Sequence, residues 1–213
     1  MSDLVLGIDP AWGGLGWCLV LDDRPLASGW SRLARPWREA KLVDLLSVLG
    51  DLVDAAAATH LDADDPRPRV VVELAPPRHK RRTSAGVKVK NPGPIAFGLG
   101  LITGSIMTWA TREGWLYPWG VPPGSSSAFG WRSWWGYGGR ARNAAALKQY
   151  AVWLVNGNAK RRVALEGFDP REPTGPAGDV AEATLIALGG AKHNAEGPRG
   201  PRGWSVHPYA ATG

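Results

Sequence analysis

The stretch Val5-Leu6-Gly7-Ile8-Asp9-Pro10, with the Gly13-Gly14 pair and the run Leu15-Gly16-Trp17-Cys18-Leu19-Val20 that follow it, decides the fold. Its short aliphatic and β-branched runs predict a strand ending at Asp9, a tight turn at the glycine pair and a returning strand. A further turn at Asp22-Asp23-Arg24-Pro25 leads into a third run. We therefore predict an antiparallel meander with strands at residues 4–9, 15–22 and 26–33.

Beyond the meander, helical and strand patterns alternate. An apolar stripe at helical spacing lies within residues 37–58, and Val70-Val71-Val72-Glu73 is typical of a short buried strand. A strand reached through a helix pairs parallel with the strand before that helix. We predict helices at 37–58, 95–113, 142–155 and 178–192, strands at 70–74 and 115–119, and loops at 78–94, 121–141 and 156–177. The predicted fold class is α/β, with a five-stranded mixed sheet (the three-stranded antiparallel meander plus parallel strands) and helices on both faces.

Four acidic residues occupy three separate places in this pattern. Asp9 and Glu73 end predicted strands, while Asp179 and Glu182 lie three apart on one face of the last helix, in its expected first turn. The first and fourth strands are natural neighbours, and open α/β sheets place their sites at the carboxyl ends of such strands. We therefore expect the four carboxylates to meet at one edge of the sheet.

Clustered carboxylates repel one another and lose hydration, so a cation is expected among them. The predicted ligands are all carboxylate oxygens, and no histidine or cysteine residues occur at the spacing typical of metal ligands. Such a set favours Mg²⁺, for which Mn²⁺ can substitute. We predict that Asp9, Glu73, Asp179 and Glu182 are at once the metal ligands and the catalytic residues. Two ions would then clamp a scissile phosphate, with Asp9 as the bridging ligand and Glu73 orienting the attacking water.

Composition points to a polyanionic partner. The 213-residue chain carries a net charge of +6, and 44% of it is hydrophobic, which suffices for one core. No signal peptide or membrane-length apolar stretch is visible, and the single cysteine, Cys18, is expected to be a small buried residue. We predict a cytoplasmic protein with no membrane partner, a nuclease domain over residues 1–193 and a flexible Gly/Pro-rich tail over 194–213.

Basic and aromatic residues crowd two of the predicted loops. A basic run directly after the Glu73 strand would contact phosphates beside the site. In the second loop, aromatics among arginines could stack on unpaired bases, cover a small satellite core or form a dimer contact. On the following helix, a lysine facing solvent is favoured over one that stabilises a charged transition state. The predicted DNA contacts are Arg78, His79, Lys80, Arg81, Arg82, Lys88 and Lys90 in the first loop, Arg132, Trp134, Trp135, Arg140 and Arg142 in the second, and Lys148 on the helix.

Several of these motifs resemble those of RuvC-type Holliday junction resolvases. Leu6-Gly7-Ile8-Asp9-Pro10 and Gly13-Gly14-Leu15-Gly16-Trp17 resemble the opening strand and return of that family. Val71-Val72-Glu73 resembles its second acidic motif, and Gly178-Asp179-Val180-Ala181-Glu182-Ala183 resembles its acidic helix. The resemblance spans roughly residues 4–192. The chain departs from the family pattern at Ala11, where a glycine is usual, and at Glu182, where an aspartate is usual.

The resemblance implies an RNase H-like fold, a homodimer, and Mg²⁺-dependent paired nicking of four-way DNA junctions. The compact size and long loops suggest a bacteriophage member, which would act in the host cytoplasm. Alternatives remain open: another RNase H-like nuclease acting on RNA–DNA hybrids or on branched or flap DNA, or a non-catalytic junction-binding protein. An actin-like ATPase would share the strand-turn-strand opening, but it needs a duplicated domain that 213 residues do not hold.

Overall fold

Five strands form a single sheet in the computed structural model, which describes residues 2–11, 13–33, 39–65, 67–74, 93–121, 123, 130–137 and 144–195. The strands are β1 (Leu4–Pro10), β2 (Gly14–Leu21), β3 (Arg24–Arg32), β4 (Arg69–Glu73) and β5 (Leu116–Val121). The α-helices are α1 (Glu39–His60), α2 (Gly93–Arg112), α3 (Trp131–Trp134), α4 (Ala144–Asn156), α5 (Ala159–Arg162) and α6 (Pro176–Ala195), and Val163–Leu165 form a 3-10 turn.

The strand order is β3-β2-β1-β4-β5. β1 pairs antiparallel with β2, and β2 pairs antiparallel with β3, so the predicted meander is confirmed. β4 lies parallel to β1 on its other side, and β5 lies parallel to β4. This arrangement is the RNase H-like mixed sheet that the sequence predicts.

Alternation along the central strands assigns their side chains to two cores. Leu6 and Ile8 of β1 pack with buried side chains of α1 and α2 on one face. Val5 of β1 and Val71 of β4 pack with α4 and α6 on the other. Because side chains alternate along a strand, Asp9 and Glu73 point to the same face as Val5 and Val71, toward α6.

Two glycines let the backbone of α6 lie directly on the sheet. A Cβ on Gly7 of β1 would run into the Ala183 carbonyl oxygen and would lie 2.6 Å from the Ala187 nitrogen. A Cβ on Gly16 of β2 would lie 2.5 Å from the Asp179 carbonyl oxygen. No side chain fits between the two layers here, so α6 comes close enough to place its acidic residues against Asp9.

The glycines of α2 do not make a similar close approach at Gly100 and Gly104. Both are exposed, and a Cβ on either would meet open space. A row of small residues on a helix allows another element to pack closely against its backbone. Whether this happens depends on which element lies opposite.

Two further details differ from the sequence prediction, and one helix cap was not predicted. The segments expected to be loops contain α3, α5 and the 3-10 turn, which are too short to show helical periodicity. The Asn158 side chain caps α5 by accepting a hydrogen bond of 3.0 Å from the Lys160 nitrogen. Since α6 begins at Pro176, Asp179 lies in its first turn but Glu182 lies in the second.

Cys18 is fully buried, as predicted, and burial raises the pKa of its thiol to about 12. Within the part of the chain that the structure describes, no helix is both long and apolar enough to cross a membrane. The predicted tail, apart from the last residues of α6, lies outside the described residues.

Candidate active site

The four predicted acidic residues come together at the carboxyl ends of β1 and β4, under α6. β1 and β4 are in parallel register up to the pair Ile8 and Val72, so Asp9 and Glu73 follow on adjacent strands. The exposed fraction is 5% for Asp9, 6% for Asp179 and 2% for Glu182. Charged groups buried this deeply require partners.

The first partner is Lys148 of α4, whose ammonium contacts three of the four carboxylates. It forms a hydrogen bond and ion pair with Asp179 Oδ1. It also lies 3.7 Å from Glu182 Oε2 and 4.0 Å from Asp9 Oδ2. Only 21% of the lysine side chain is exposed. The sequence favoured a surface lysine, and this interpretation was wrong because α4 packs against α6 and turns the residue inward.

The second partner is Arg132 of α3, which joins the remaining carboxylate to the group. One of its terminal nitrogens donates to Glu182 Oε1 at 2.8 Å and lies 3.6 Å from Glu73 Oε2. The neighbouring Trp131 is fully buried and donates from its indole nitrogen to the same Glu73 oxygen at 2.7 Å. Glu73 is therefore held by a cation and an indole from two consecutive residues.

A further indole orients Asp179 from the meander side. Trp30 of β3 donates from Nε1 to Asp179 Oδ2 at 2.9 Å. The other oxygen of the same carboxylate faces Lys148. Neither Trp30 nor Trp131 was predicted as a site residue, since an indole on a strand or in an aromatic-rich loop carries no sequence signal for a carboxylate partner.

The electrostatics of the cluster show an excess of negative charge. Burial raises the pKa of Asp9 well above its ordinary value, and repulsion from Glu182 and Glu73 adds to this effect. Burial also raises the pKa of Glu73 to about 7, although Arg132 opposes the shift. Burial on its own lowers the pKa of Lys148, but Asp9 and Asp179 reverse this and raise it overall. Two carboxylates that favour protonation, although two cations lie beside them, indicate that the cluster can accept more positive charge.

The donor set fits a hard divalent cation. All four acidic groups supply carboxylate oxygens, which are the ligands that Mg²⁺ and Mn²⁺ prefer. The Tyr137 hydroxyl is buried next to the cluster without a partner among the described residues, so a polar group remains for a water or ligand. Among the described residues, no three aspartate, glutamate, histidine or cysteine side chains are positioned in this structure to enclose a metal ion. Lys148 contacts three of the carboxylates, and it would have to withdraw when an ion binds.

These pKa shifts predict how the stability of the metal-free protein depends on pH. A carboxyl whose pKa is higher in the folded state stabilises the fold below its unfolded pKa and loses that effect as the pH rises through its folded pKa. For Glu73 this window runs from 4.5 to about 7. We expect the free energy of unfolding, measured by urea denaturation in EDTA, to fall by up to about 3 kcal/mol between pH 5 and pH 8.

Glu73→Gln is the matched variant for this pH experiment. Glutamine keeps an oxygen that accepts from Trp131 but does not titrate. The variant should lose the part of the decrease that Glu73 contributes and keep the part that Asp9 contributes, and Mg²⁺ should reduce the decrease in the wild type. A wild-type protein whose stability rises steadily over the same range would contradict the assignment of raised pKa values.

The predicted DNA contacts are only partly within the described residues. Trp135 donates from Nε1 to the Leu185 carbonyl at 2.9 Å and, like Trp134, is half-buried against the core around α6. Trp131 and Tyr137 are buried in that core, so the described aromatics of the segment belong to one of the two main cores rather than to the small satellite core that the sequence left open. Arg132 and Lys148 face the acidic residues. Outside the described residues lie Arg78, His79, Lys80, Arg81, Arg82, Lys88, Lys90, Arg140 and Arg142.

Comparison with known proteins finds similarity at the level of structure. No family model matches the chain, and no curated protein matches it. A structure described as "T. thermophilus RuvC in complex with Holliday junction substrate" is 16% identical, with 92% of this chain and 97% of that chain covered and a TM-score of 0.49. A second, "Thermus thermophilus RuvC structure", is 17% identical with the same coverage and TM-score. At this identity the similarity concerns the fold alone.

Proposed function

We propose that this protein is a metal-dependent DNA endonuclease that resolves four-way junctions by paired nicks. The observation that carries the proposal is the convergence of Asp9, Glu73, Asp179 and Glu182 at the carboxyl edge of an RNase H-like sheet. Buried carboxylates in excess over their cations suit the binding of divalent metal and, through it, of a phosphodiester. The non-catalytic alternative gives no reason to bring four such groups together and to bury three of them.

Each described residue then has a distinct part in the chemistry. Asp9 and Asp179 supply ligands from a rigid strand and helix, and Trp30 fixes the orientation of Asp179. Glu73, fixed by Trp131, is placed to orient a water. Two divalent cations held by the four carboxylates would acidify that water and neutralise charge developing on the phosphate. Lys148 has a flexible stem, so its ammonium can exchange carboxylate contacts for a phosphate oxygen.

The proposed substrate rests on charge and on the motifs rather than on the structural neighbours. The net charge of +6 favours nucleic acid, and the basic run after Glu73 is predicted to contact phosphates next to the site. The resolvase motifs support branched DNA and a homodimer, whose two sites would make the paired nicks. Such an enzyme would act in the cytoplasm, or in the host cytoplasm if it belongs to a phage.

A cleavage assay with Mg²⁺ tests the proposal. The purified chain is incubated with a four-way junction, a flap, a linear duplex and an RNA–DNA hybrid of matched sequence, and the nicked products are quantified. We expect the junction to be cut at least about tenfold faster than the duplex, since each 1.4 kcal/mol of preferential binding is worth tenfold. Preferential cutting of the hybrid would refute the proposal that the protein resolves junctions. If none of the substrates is cut, the proposal that the protein is a nuclease is refuted.

A further inference from the structure

The Arg132 side chain is fixed by contacts within the protein, unlike a surface arginine that is available to bind DNA. Its guanidinium carbon lies 4.9 Å from the centre of the Trp131 ring, and a nitrogen donates to the Pro123 carbonyl at 3.5 Å. Its side chain is only 16% exposed. The guanidinium is therefore a fixed cation inside the acidic cluster.

The two cations of the cluster differ in kind. Arginine does not lose its proton in proteins, and its planar group is ordered by stacking and by directed hydrogen bonds. Lysine carries a compact charge on a flexible stem, and Lys148 makes a set of contacts that it can give up. Arg132 is thus a permanent member of the site, whereas Lys148 is exchangeable.

The contacts also divide the carboxylates between the two cations. Arg132 takes Glu73 and one oxygen of Glu182, and Lys148 takes Asp9, Asp179 and the other oxygen of Glu182. When Lys148 withdraws, four ionised carboxylates against Arg132 leave three negative charges. One divalent ion reduces this to one negative charge, whereas two ions would leave a net positive charge. A second divalent ion would bring two further positive charges into a buried site that already contains an arginine, and each such charge is costly.

We propose that Arg132 replaces one metal ion, so that the site binds a single divalent cation while Arg132 holds Glu73 and Glu182. This inference rests on the proposed function and changes its chemistry from two ions to one. It also explains why residue 182 is a glutamate and not an aspartate. An aspartate would be shorter by one carbon–carbon bond, about 1.5 Å, and would not reach Arg132 at 2.8 Å.

Counting bound Mn²⁺ tests the proposal without relying on cleavage. Free Mn²⁺ is measured by electron paramagnetic resonance while the metal is titrated into the intact chain without DNA. We expect one site per chain in the wild type. Arg132→Met keeps the side-chain length and removes the charge, and we expect it to bind a second Mn²⁺ at least about tenfold more tightly than the wild type does. Arg132→Lys should remain closer to the wild type than the methionine variant does.

Two other variants complete the experiment. Arg171→Met is the control, because Arg171 is exposed and pairs only locally with Asp169, yet the change in net charge is the same. Glu182→Asp breaks the pair from the other side, so a second Mn²⁺ should gain affinity there as well. This variant keeps the proposal testable if Arg132→Met does not fold.

The outcomes separate the inference from the function on which it rests. Two sites of similar affinity in the wild type would overturn the single-ion proposal, and so would unchanged Mn²⁺ binding in both folded variants. If the protein cuts junctions but binds two ions, the proposed function stands and only the proposed role of Arg132 is refuted. A chain that binds no Mn²⁺ and cuts no DNA overturns both.

Discussion

Asp9→Asn should abolish Mg²⁺-dependent cleavage of a four-way junction while leaving junction binding intact. Asp9 is buried among three other carboxylates, and the asparagine that replaces it is a poorer metal ligand with the same shape. Metal-based stabilisation of a phosphoryl transition state is worth several kcal/mol, so we expect a loss of at least about 1,000-fold. The measurements are the single-turnover cleavage rate and the junction affinity in Ca²⁺.

The same variant should be more stable, not less, in the absence of metal. Burial and neighbouring acids disfavour the charged form of Asp9, and asparagine carries no charge. Urea denaturation in EDTA therefore separates lost chemistry from lost structure. Asp23→Asn is the control, since Asp23 is an exposed aspartate paired with Lys160. Cleavage by Asp9→Asn at the wild-type rate would refute the metal assignment.

Gly7→Ala should destabilise the fold by about 3 kcal/mol or more, although it adds only one methyl group. The new Cβ would meet the backbone of α6 at Ala183 and Ala187, and neither can move as a flexible side chain would. For a domain of this size the loss corresponds to a decrease in Tm of roughly 6–12 °C. Any displacement of α6 would also move Asp179 and Glu182 away from Asp9, so cleavage should fall even below the melting transition.

Gly104→Ala is the matched control for that experiment. Gly104 is an exposed helical glycine with open space around it, and alanine should stabilise α2 by up to about 1 kcal/mol. The two variants make the same chemical change with opposite expected signs in thermal denaturation. A Gly7→Ala protein that melts at the wild-type temperature would show that α6 does not pack as closely as described.

The fold could be predicted from sequence because its signals are local. Val5–Ile8 and Val70–Val72 are aliphatic runs that end in an acidic residue, and the glycine pair at 13–14 turns the chain between two strands. A helix between β1 and β4 then makes them parallel neighbours. These facts suffice to bring Asp9 and Glu73 together before any coordinate is known.

The cations of the site could not be predicted in the same way. Lys148 has the helical spacing of a surface residue, and only the packing of α4 on α6 directs it to the acids. Arg132 stands in a segment rich in glycine and tryptophan that matches neither the helical nor the strand period. Its position depends on Trp131 being buried, and burial of a single indole in an irregular segment has no local signature.

The order in which the site is completed follows from the wide separation of its parts along the chain. Trp30 bonds to a residue 149 positions later, and Arg132 to one 50 positions later. The helix that carries Asp179 is the last element described. On a ribosome, β1 and β4 would emerge and could pair well before that helix is made. A nascent chain would thus expose Asp9 without its partners, and the proposed nuclease activity would be withheld until synthesis has passed α6.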